Sequence, residues 1–258
     1  MSYSKRLVVL VFVFGALLFP KILIAEGRPL EFGGSSFPPF FGENMENDGP
    51  LIEIARHAFA VSDREFSITW LPWKRVIVMA RRGDIDGIAY AWYKPEREAF
   101  LYFGEPIFPN QNGLFKNVSN PLTELSDMSQ LKGSLIGVVG GYAVPEKLLH
   151  SGASIVQGLQ DINLLKMLAL KRLDYVYTDK IVGRYLLQTE APDMRQKVAW
   201  FTLLKEFPNH LAVAQKIKNA DPTLILNQWS KGLKMIKKSG QYDSILRRYG
   251  LIKNKSAQ

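Results

Sequence analysis

The chain has 258 residues, 47% of them hydrophobic and 12% aromatic, with no cysteine and a formal net charge of +9. This composition excludes a disordered chain, a disulfide framework and a thiolate metal site. The basic excess is scattered as pairs such as Arg81-Arg82, Lys237-Lys238 and Arg247-Arg248, with no long basic run, which argues against nucleic acid as a partner.

Lys5-Arg6 precede an apolar run of 13 residues, Leu7 to Phe19, broken by Pro20. The run is short for a membrane span and of the right length for the apolar core of a secretory signal. Cleavage after Ala25 is expected, although Leu23 is larger than the small residue usual at that place. Removing residues 1–25 takes three basic residues and no acid, leaving a net charge of +6. An exported, cysteine-free chain fits a bacterial periplasm.

After the signal, Leu30 to Phe32 reads as a strand running into the Gly/Ser/Pro loop "GGSSFPPFFG". Gly49-Pro50 then opens a helix whose apolar stripe is Leu51, Ile52, Ile54, Ala55, Ala58 and Phe59. "FSITWL" alternates as a strand, "WKRVIVMARRG" is a helix ended by Gly83, and "DIDGIAYAW" is a further strand. This βαβαβ order is the pattern of a parallel sheet with crossover helices. The pattern returns from Ser134 onward. "SLIGVV" is a strand followed by a Gly140-Gly141 turn and a helix, and "ASIVQGL" is a strand. "DINLLKMLALKR" is a helix with Asp161 as N-cap, "LDYVYTD" is a strand, and a helix follows from Ile181 to about Glu190. "HLAVAQK" is a strand candidate, and a basic amphipathic helix spans Pro222 to Lys238 before "SGQYDSILRRYG". Two βαβ lobes joined by extended segments near Gly113–Phe115 and His210–Val213 fit this order, with the C-terminal helices returning to the first lobe.

His57, His150 and His210 lie far apart, and the sequence holds no G-x-S-x-G, P-loop or G-x-G-x-x-G motif. Neither a metal nor an organic cofactor is expected. The residues that point to chemistry stand at the ends of strands, where open α/β sheets bind ligands. Arg97 follows Pro95-Glu96 just past "DGIAYAW" and is placed to grip a carboxylate through paired hydrogen bonds. Asp179 is its counterpart at the end of "LDYVYTD", as a ligand acceptor or as the N-cap of the next helix. Phe37 and Trp73 sit in loops and are expected to be exposed as walls of a mostly apolar pocket, with Trp92 and Tyr142 in comparable places. The Gly140-Gly141-Tyr142 turn frees backbone amides for an anion. Asp86 and Asp174 read as turn residues.

Taken in order, "FPPF", the helix after Gly49-Pro50, "GDIDGI", "PERE…YFGEPIF", "LKGSLIGVVGGY", "RLDYVYTD" and "GLKMIKKSGQYDSILRRYG" resemble the bacterial periplasmic solute-binding proteins of the amino-acid-binding type, the extracellular components of ABC importers. The resemblance covers about residues 28–251. It implies a two-lobed α/β fold of the type II periplasmic-binding-protein kind, each lobe a mostly parallel sheet flanked by helices and joined by two hinge segments. The expected organisation is a signal at 1–25, a first lobe of 26–112 with 211–258, and a second lobe of 113–210. By the same resemblance, Arg97 matches the residue that binds the ligand carboxylate, Asp179 the acceptor of the α-ammonium, and Phe37 and Trp73 the aromatic walls. The sequence departs from the family pattern where hydroxyl residues usually share the carboxylate: Ala89, Ala91, Trp92 and Lys94 stand before Arg97, and Tyr142-Ala143 after the glycine turn.

The function implied is capture of a small polar or zwitterionic, amino-acid-like molecule with an anionic group, for delivery to an inner-membrane ABC permease by a monomeric binding protein. Two alternatives share the cleft. One is a ligand-sensing adaptor for a membrane receptor, and the other is a dehydratase-like enzyme using Glu43, Glu46 or Asp179.

Overall fold

The computed structural model describes residues 28–218 and 220–253, so the expected signal at residues 1–25 lies outside the described residues. Among the described residues no helix is long and apolar enough to cross a membrane.

The first half of the chain forms β1 (Leu30–Gly34), α1 (Pro50–Ala60), β2 (Phe66–Trp70), α2 (Trp73–Arg82) and β3 (Gly87–Trp92). Proline opens α1, where its missing amide would have been unpaired anyway, and Gly83 closes α2 in the left-handed region at φ 74°. β1 lies between β2 and β3 and runs parallel to both. β3 is buried along its whole length, as its unbroken apolar run "GIAYAW" requires. Asp86 stands in the bend before β3, as expected, and is 2% exposed: its carboxylate accepts the Glu31 amide and pairs with Arg28, tying the start of β3 to β1.

β4 (Leu101–Asn117) follows, then β5 (Leu135–Val139), α3 (Glu146–Leu149), β6 (Ser154–Gly158), α4 (Asp161–Ala169), β7 (Tyr175–Asp179) and α5 (Lys180–Thr189). β5 lies between β6 and β7, parallel to each, and repeats the first arrangement. The N-cap of α4 is Gln160; Asp161 is the first helical residue and its carboxylate accepts from the Tyr142 hydroxyl at 2.7 Å. Asp174, like Asp86, keeps its turn, here before β7, and accepts the Leu135 amide at 2.8 Å.

β8 (Val198–Ala214), α6 (Pro222–Lys238) and α7 (Gln241–Arg248) complete the chain. β4 and β8 are each 17 residues long and pair antiparallel from Leu101↔Ala214 to Asn117↔Val198. The sheet order is β2-β1-β3-β8-β4-β7-β5-β6, so these two strands form a continuous two-stranded bridge between the parallel groups. The ladder is irregular between Phe103 and Phe108 and again between Asn112 and Phe115. The two segments expected to cross between lobes lie at different levels of this ladder, Gly113 opposite Leu203 and His210 opposite Pro106.

α6 and α7 return to α1. The α1 stripe is fully buried, each large aliphatic or aromatic member contributing about 1.5 to 3 kcal/mol. α6 crosses so closely that a Cβ on Gly232 would stand 1.9 Å from the Ala58 carbonyl oxygen. Beside it Trp229 is fully buried with its ring 5.8 Å from that of Phe59.

Candidate ligand-binding cleft

The cleft lies where the loops after β1, β2 and β3 face the loops after β5 and β6. Five of the six residues singled out in the sequence line one cavity: Phe37, Trp73, Trp92, Arg97 and Tyr142, together with Ser35, Phe41, Tyr90, Ala91 and Asn209. Its volume is about 40 Å³. A larger space of about 530 Å³ adjoins it through the shared Ser35 and Tyr142, and Glu43, Gln160, Asp161 and Glu190 line that second space.

Arg97 is held in a short 3-10 turn, Pro95–Arg97, which begins as soon as β3 ends. Proline fixes the first dihedral of this turn and directs the arginine back over the strand end. The side chain is only 5% exposed. One Nη donates to the Trp92 carbonyl, and the other donates to the Gly141 carbonyl at 2.8 Å, across the cleft. The guanidinium lies over the Trp73 ring at 5.1 Å. Trp73 Nε1 also donates to Gly141 O, at 3.2 Å, so one carbonyl receives two donors from the opposite side. Among the described residues no carboxylate lies within 4.0 Å of the Arg97 guanidinium. Burial, opposed weakly by Glu96, lowers its pKa to about 10, so it stays charged at neutral pH.

The aromatic wall is packed edge to face. Phe37 meets Trp92 at 5.6 Å and Tyr142 at 6.2 Å, and Trp92 meets Tyr142 at 4.9 Å. Each such pair adds about 0.5 to 1.5 kcal/mol beyond area burial. Phe37 was expected to be exposed; it is 6% exposed, because Phe40 and Phe41 of the same loop fold under it. Trp73 is half-buried.

The glycine turn acts through its carbonyl. The amides of Gly140 and Tyr142 are committed to Gly158 O and Val139 O, while Gly141 O faces Arg97 and Trp73. Gly141 has φ 91°, a backbone state that disfavours any side chain, and this conformation turns its carbonyl toward the cleft.

Asp179 is not among the residues lining the cavity. It is fully buried at the end of β7. Oδ1 accepts the Ile181 and Val182 amides at 2.8 and 3.0 Å, which makes it the N-cap of α5. Oδ2 accepts Asn110 Nδ2 at 3.0 Å and the Gln111 amide at 2.9 Å, both on β4. Burial raises its pKa to about 6 against these four donors. Asn110 Oδ1 in turn accepts Trp92 Nε1 at 3.2 Å. A continuous chain of bonds therefore runs from the aromatic wall through the bridge strand to α5.

Two polar residues that the sequence reading passed over belong to the site. Asn209 on β8 stands opposite Trp92 and Phe108 in the ladder, and Asn110 faces Phe207. The available signal was an asparagine set among apolar residues of an extended run, as in "FPNQNG" and "FPNHLAVA". Buried asparagines in a strand demand partners, and that demand marks them out.

The chain matches the family model of bacterial extracellular solute-binding proteins, family 3, over residues 32–252. A search of curated proteins finds no match. Among solved structures, an arginine-binding protein of T. maritima, a P235GK mutant, is similar at 20% identity and TM-score 0.72, over 85% of this chain and 94% of that one. A histidine kinase sensor domain with similarity to periplasmic binding proteins is similar at 18% identity and TM-score 0.72, over 87% and 97%. An amino acid ABC transporter substrate-binding protein from Streptococcus pneumoniae, bound to L-arginine, is similar at 17% identity and TM-score 0.68, over 85% and 94%. At these identities the likeness bears on fold, and it agrees with the two parallel groups and their antiparallel bridge. With the match spanning nearly all the described residues, this chain belongs to the bacterial extracellular solute-binding proteins, family 3.

Proposed function

We propose that the protein is exported to the periplasm, captures a small solute carrying an anionic group between its two lobes, and delivers it to an inner-membrane ABC permease. The observation that carries this reading is Arg97, a buried cation that lines a cavity facing both lobes and has no carboxylate partner among the described residues. A buried charge without a counter-charge is costly, and an anionic ligand would relieve that cost. Phe37, Trp73, Trp92 and Tyr142 supply the walls. Asp179 acts in this reading by fixing the geometry of β4 and α5. We place the lobe division within β4 and β8, the strands that join the two parallel groups. A ligand touching both sides favours closure by its differential affinity for the closed state.

The test is a thermal-shift screen of small carboxylates, amino acids and organic acids on the protein and on Arg97→Gln. A ligand at 100 times its dissociation constant adds about 2.7 kcal/mol of stability. Stabilisation that Arg97→Gln abolishes supports the reading, and equal stabilisation of both proteins refutes Arg97 as the anchor.

A second reading is a sensor that passes ligand occupancy to a membrane receptor. It is favoured by the similarity to a histidine kinase sensor domain. Co-purification with a permease or with a receptor kinase separates the two.

A further inference from the structure

The charge of the Arg97 cavity is one-sided. Its lining contains one charged residue, Arg97, and no aspartate or glutamate. The Tyr90 hydroxyl is spent on the Leu51 carbonyl and the Tyr142 hydroxyl on Asp161. Asn209 is 2% exposed and its Nδ2 has no hydrogen-bond partner, which leaves a buried donor at the cavity wall. The nearest main-chain acceptors, Trp92 O and Gly141 O, already receive Arg97. The aspartate that the resemblance offers to an ammonium, Asp179, lies outside this lining, and each of its carboxylate oxygens already accepts two hydrogen bonds.

We propose that the ligand of this cavity is a carboxylate with an apolar body and no ammonium group, a des-amino acid rather than an amino acid. The proposal rests on the reading of Arg97 given above and narrows it.

A carboxylate brings two oxygens with about four acceptor sites. The cavity offers donors to meet them: the Arg97 guanidinium, Asn209 Nδ2, and Trp73 Nε1 once it leaves Gly141 O. An ammonium entering the same space would stand beside Arg97 with only neutral acceptors, the Ser35 hydroxyl, Asn209 Oδ1 and the Gly141 carbonyl, and no carboxylate in the lining, an uncompensated positive charge in a site that already holds one. Asp161 does not supply the missing charge within the cavity. It lines the adjoining larger space, with the Tyr142 hydroxyl bonded to it from the cavity side. The 40 Å³ beside Arg97, walled by Phe37, Trp92 and Ala91, takes the carboxylate, and an alkyl or aryl body extends past Tyr142 into the adjoining space of about 530 Å³, where Leu71, Val139 and Ile162 are among the lining residues.

The experiment is titration calorimetry of the purified protein with matched pairs: propionate and alanine, 4-methylpentanoate and leucine, 3-phenylpropanoate and phenylalanine, 3-indolepropanoate and tryptophan. At least one des-amino acid is expected to bind tenfold or more tightly than its amino acid. Asn209→Leu, which removes the unpaired donor and keeps the volume close, is expected to weaken that binding roughly tenfold. An amino acid binding as tightly as its des-amino partner, or more tightly, overturns this proposal and leaves capture of an anionic solute standing. If no member of either series binds, the reading of Arg97 falls and this proposal falls with it.

Discussion

Replacing Asp179 by alanine removes four hydrogen bonds from a fully buried position: two to the first amides of α5, one to Asn110 and one to the Gln111 amide. Loss of the N-cap costs about 1 kcal/mol. The Asn110 amide and the Gln111 amide are left without partners away from water, at about 1 to 3 kcal/mol each. Against this, the variant no longer holds an ionised carboxylate in a site whose burial raises its pKa to about 6, which offsets part of the loss at pH 7. With that relief at up to about 3 kcal/mol, the net expectation is a destabilisation of roughly 1 to 4 kcal/mol, or a fall in Tm of roughly 2 to 15 °C. Urea unfolding at pH 7 followed by circular dichroism measures it. A double-mutant cycle with Asn110→Ala should return a coupling of about 1 kcal/mol or more. A loss below about 0.5 kcal/mol, or additive single effects, would mean that the bond chain from Trp92 to α5 contributes nothing and that burial of the charge dominates the site.

The same carboxyl gives a pH prediction. Its folded pKa of about 6 lies above the ordinary 3.8, so the folded protein takes up this proton first as the pH falls from 6 to 4. The contribution of Asp179 to stability therefore rises on acidification through that window, by on the order of 3 kcal/mol. Asp179→Asn should flatten the slope of unfolding free energy between pH 4 and 6, and an unchanged slope would place the titration elsewhere. Tyr142→Phe removes the hydroxyl that donates to the buried Asp161 carboxylate and should cost about 1 to 3 kcal/mol in urea, with the aromatic wall otherwise kept; no measurable loss would show that water replaces it. Gly232→Ala drives a Cβ to 1.9 Å from Ala58 O and should separate α6 from α1 at a cost of about 1 to 3 kcal/mol, whereas a neutral or stabilised variant would refute so close a crossing.

Much of the layer architecture was legible because β1 to β3 and β5 to β7 carry apolar strand runs separated by capped helices, and parallel strands need such crossovers. The bridge was harder to see. Within β4, "LYFGEPIFPNQNGLFKN" contains two prolines and two glycines, which read as breaks, yet β4 takes Gly104, Pro106 and Gly113 at register shifts and pairs Pro109 with Pro208 while pairing with β8 continues. Arg97 was visible from its place after a strand and beside Pro95. Its partners were not, because Gly141 O comes from 44 residues away and a carbonyl carries no sequence signature. Phe37 is buried although its loop position suggests exposure, because loop membership says nothing about which rings of the same loop fold beneath it. Asp179 presented two roles, and what the sequence could not show was that Asn110 and Gln111 would take up its second oxygen.

β8 has a further consequence for how the molecule assembles. The strand inserted between β3 and β4 is the last of the eight, with Gly87 paired to Val213 and Leu101 to Ala214. A chain made from its N-terminus therefore completes β1 to β3 and β4 long before the strand that joins them exists, and their facing edges stay open until β8 arrives. Closing loops of more than 100 residues is slow, and open edges invite pairing with other chains. The trio of β5 to β7 is contiguous in sequence as β1 to β3 are, but its edge strand β7 pairs with β4, which is made before it, so this part of the sheet can close without waiting for β8.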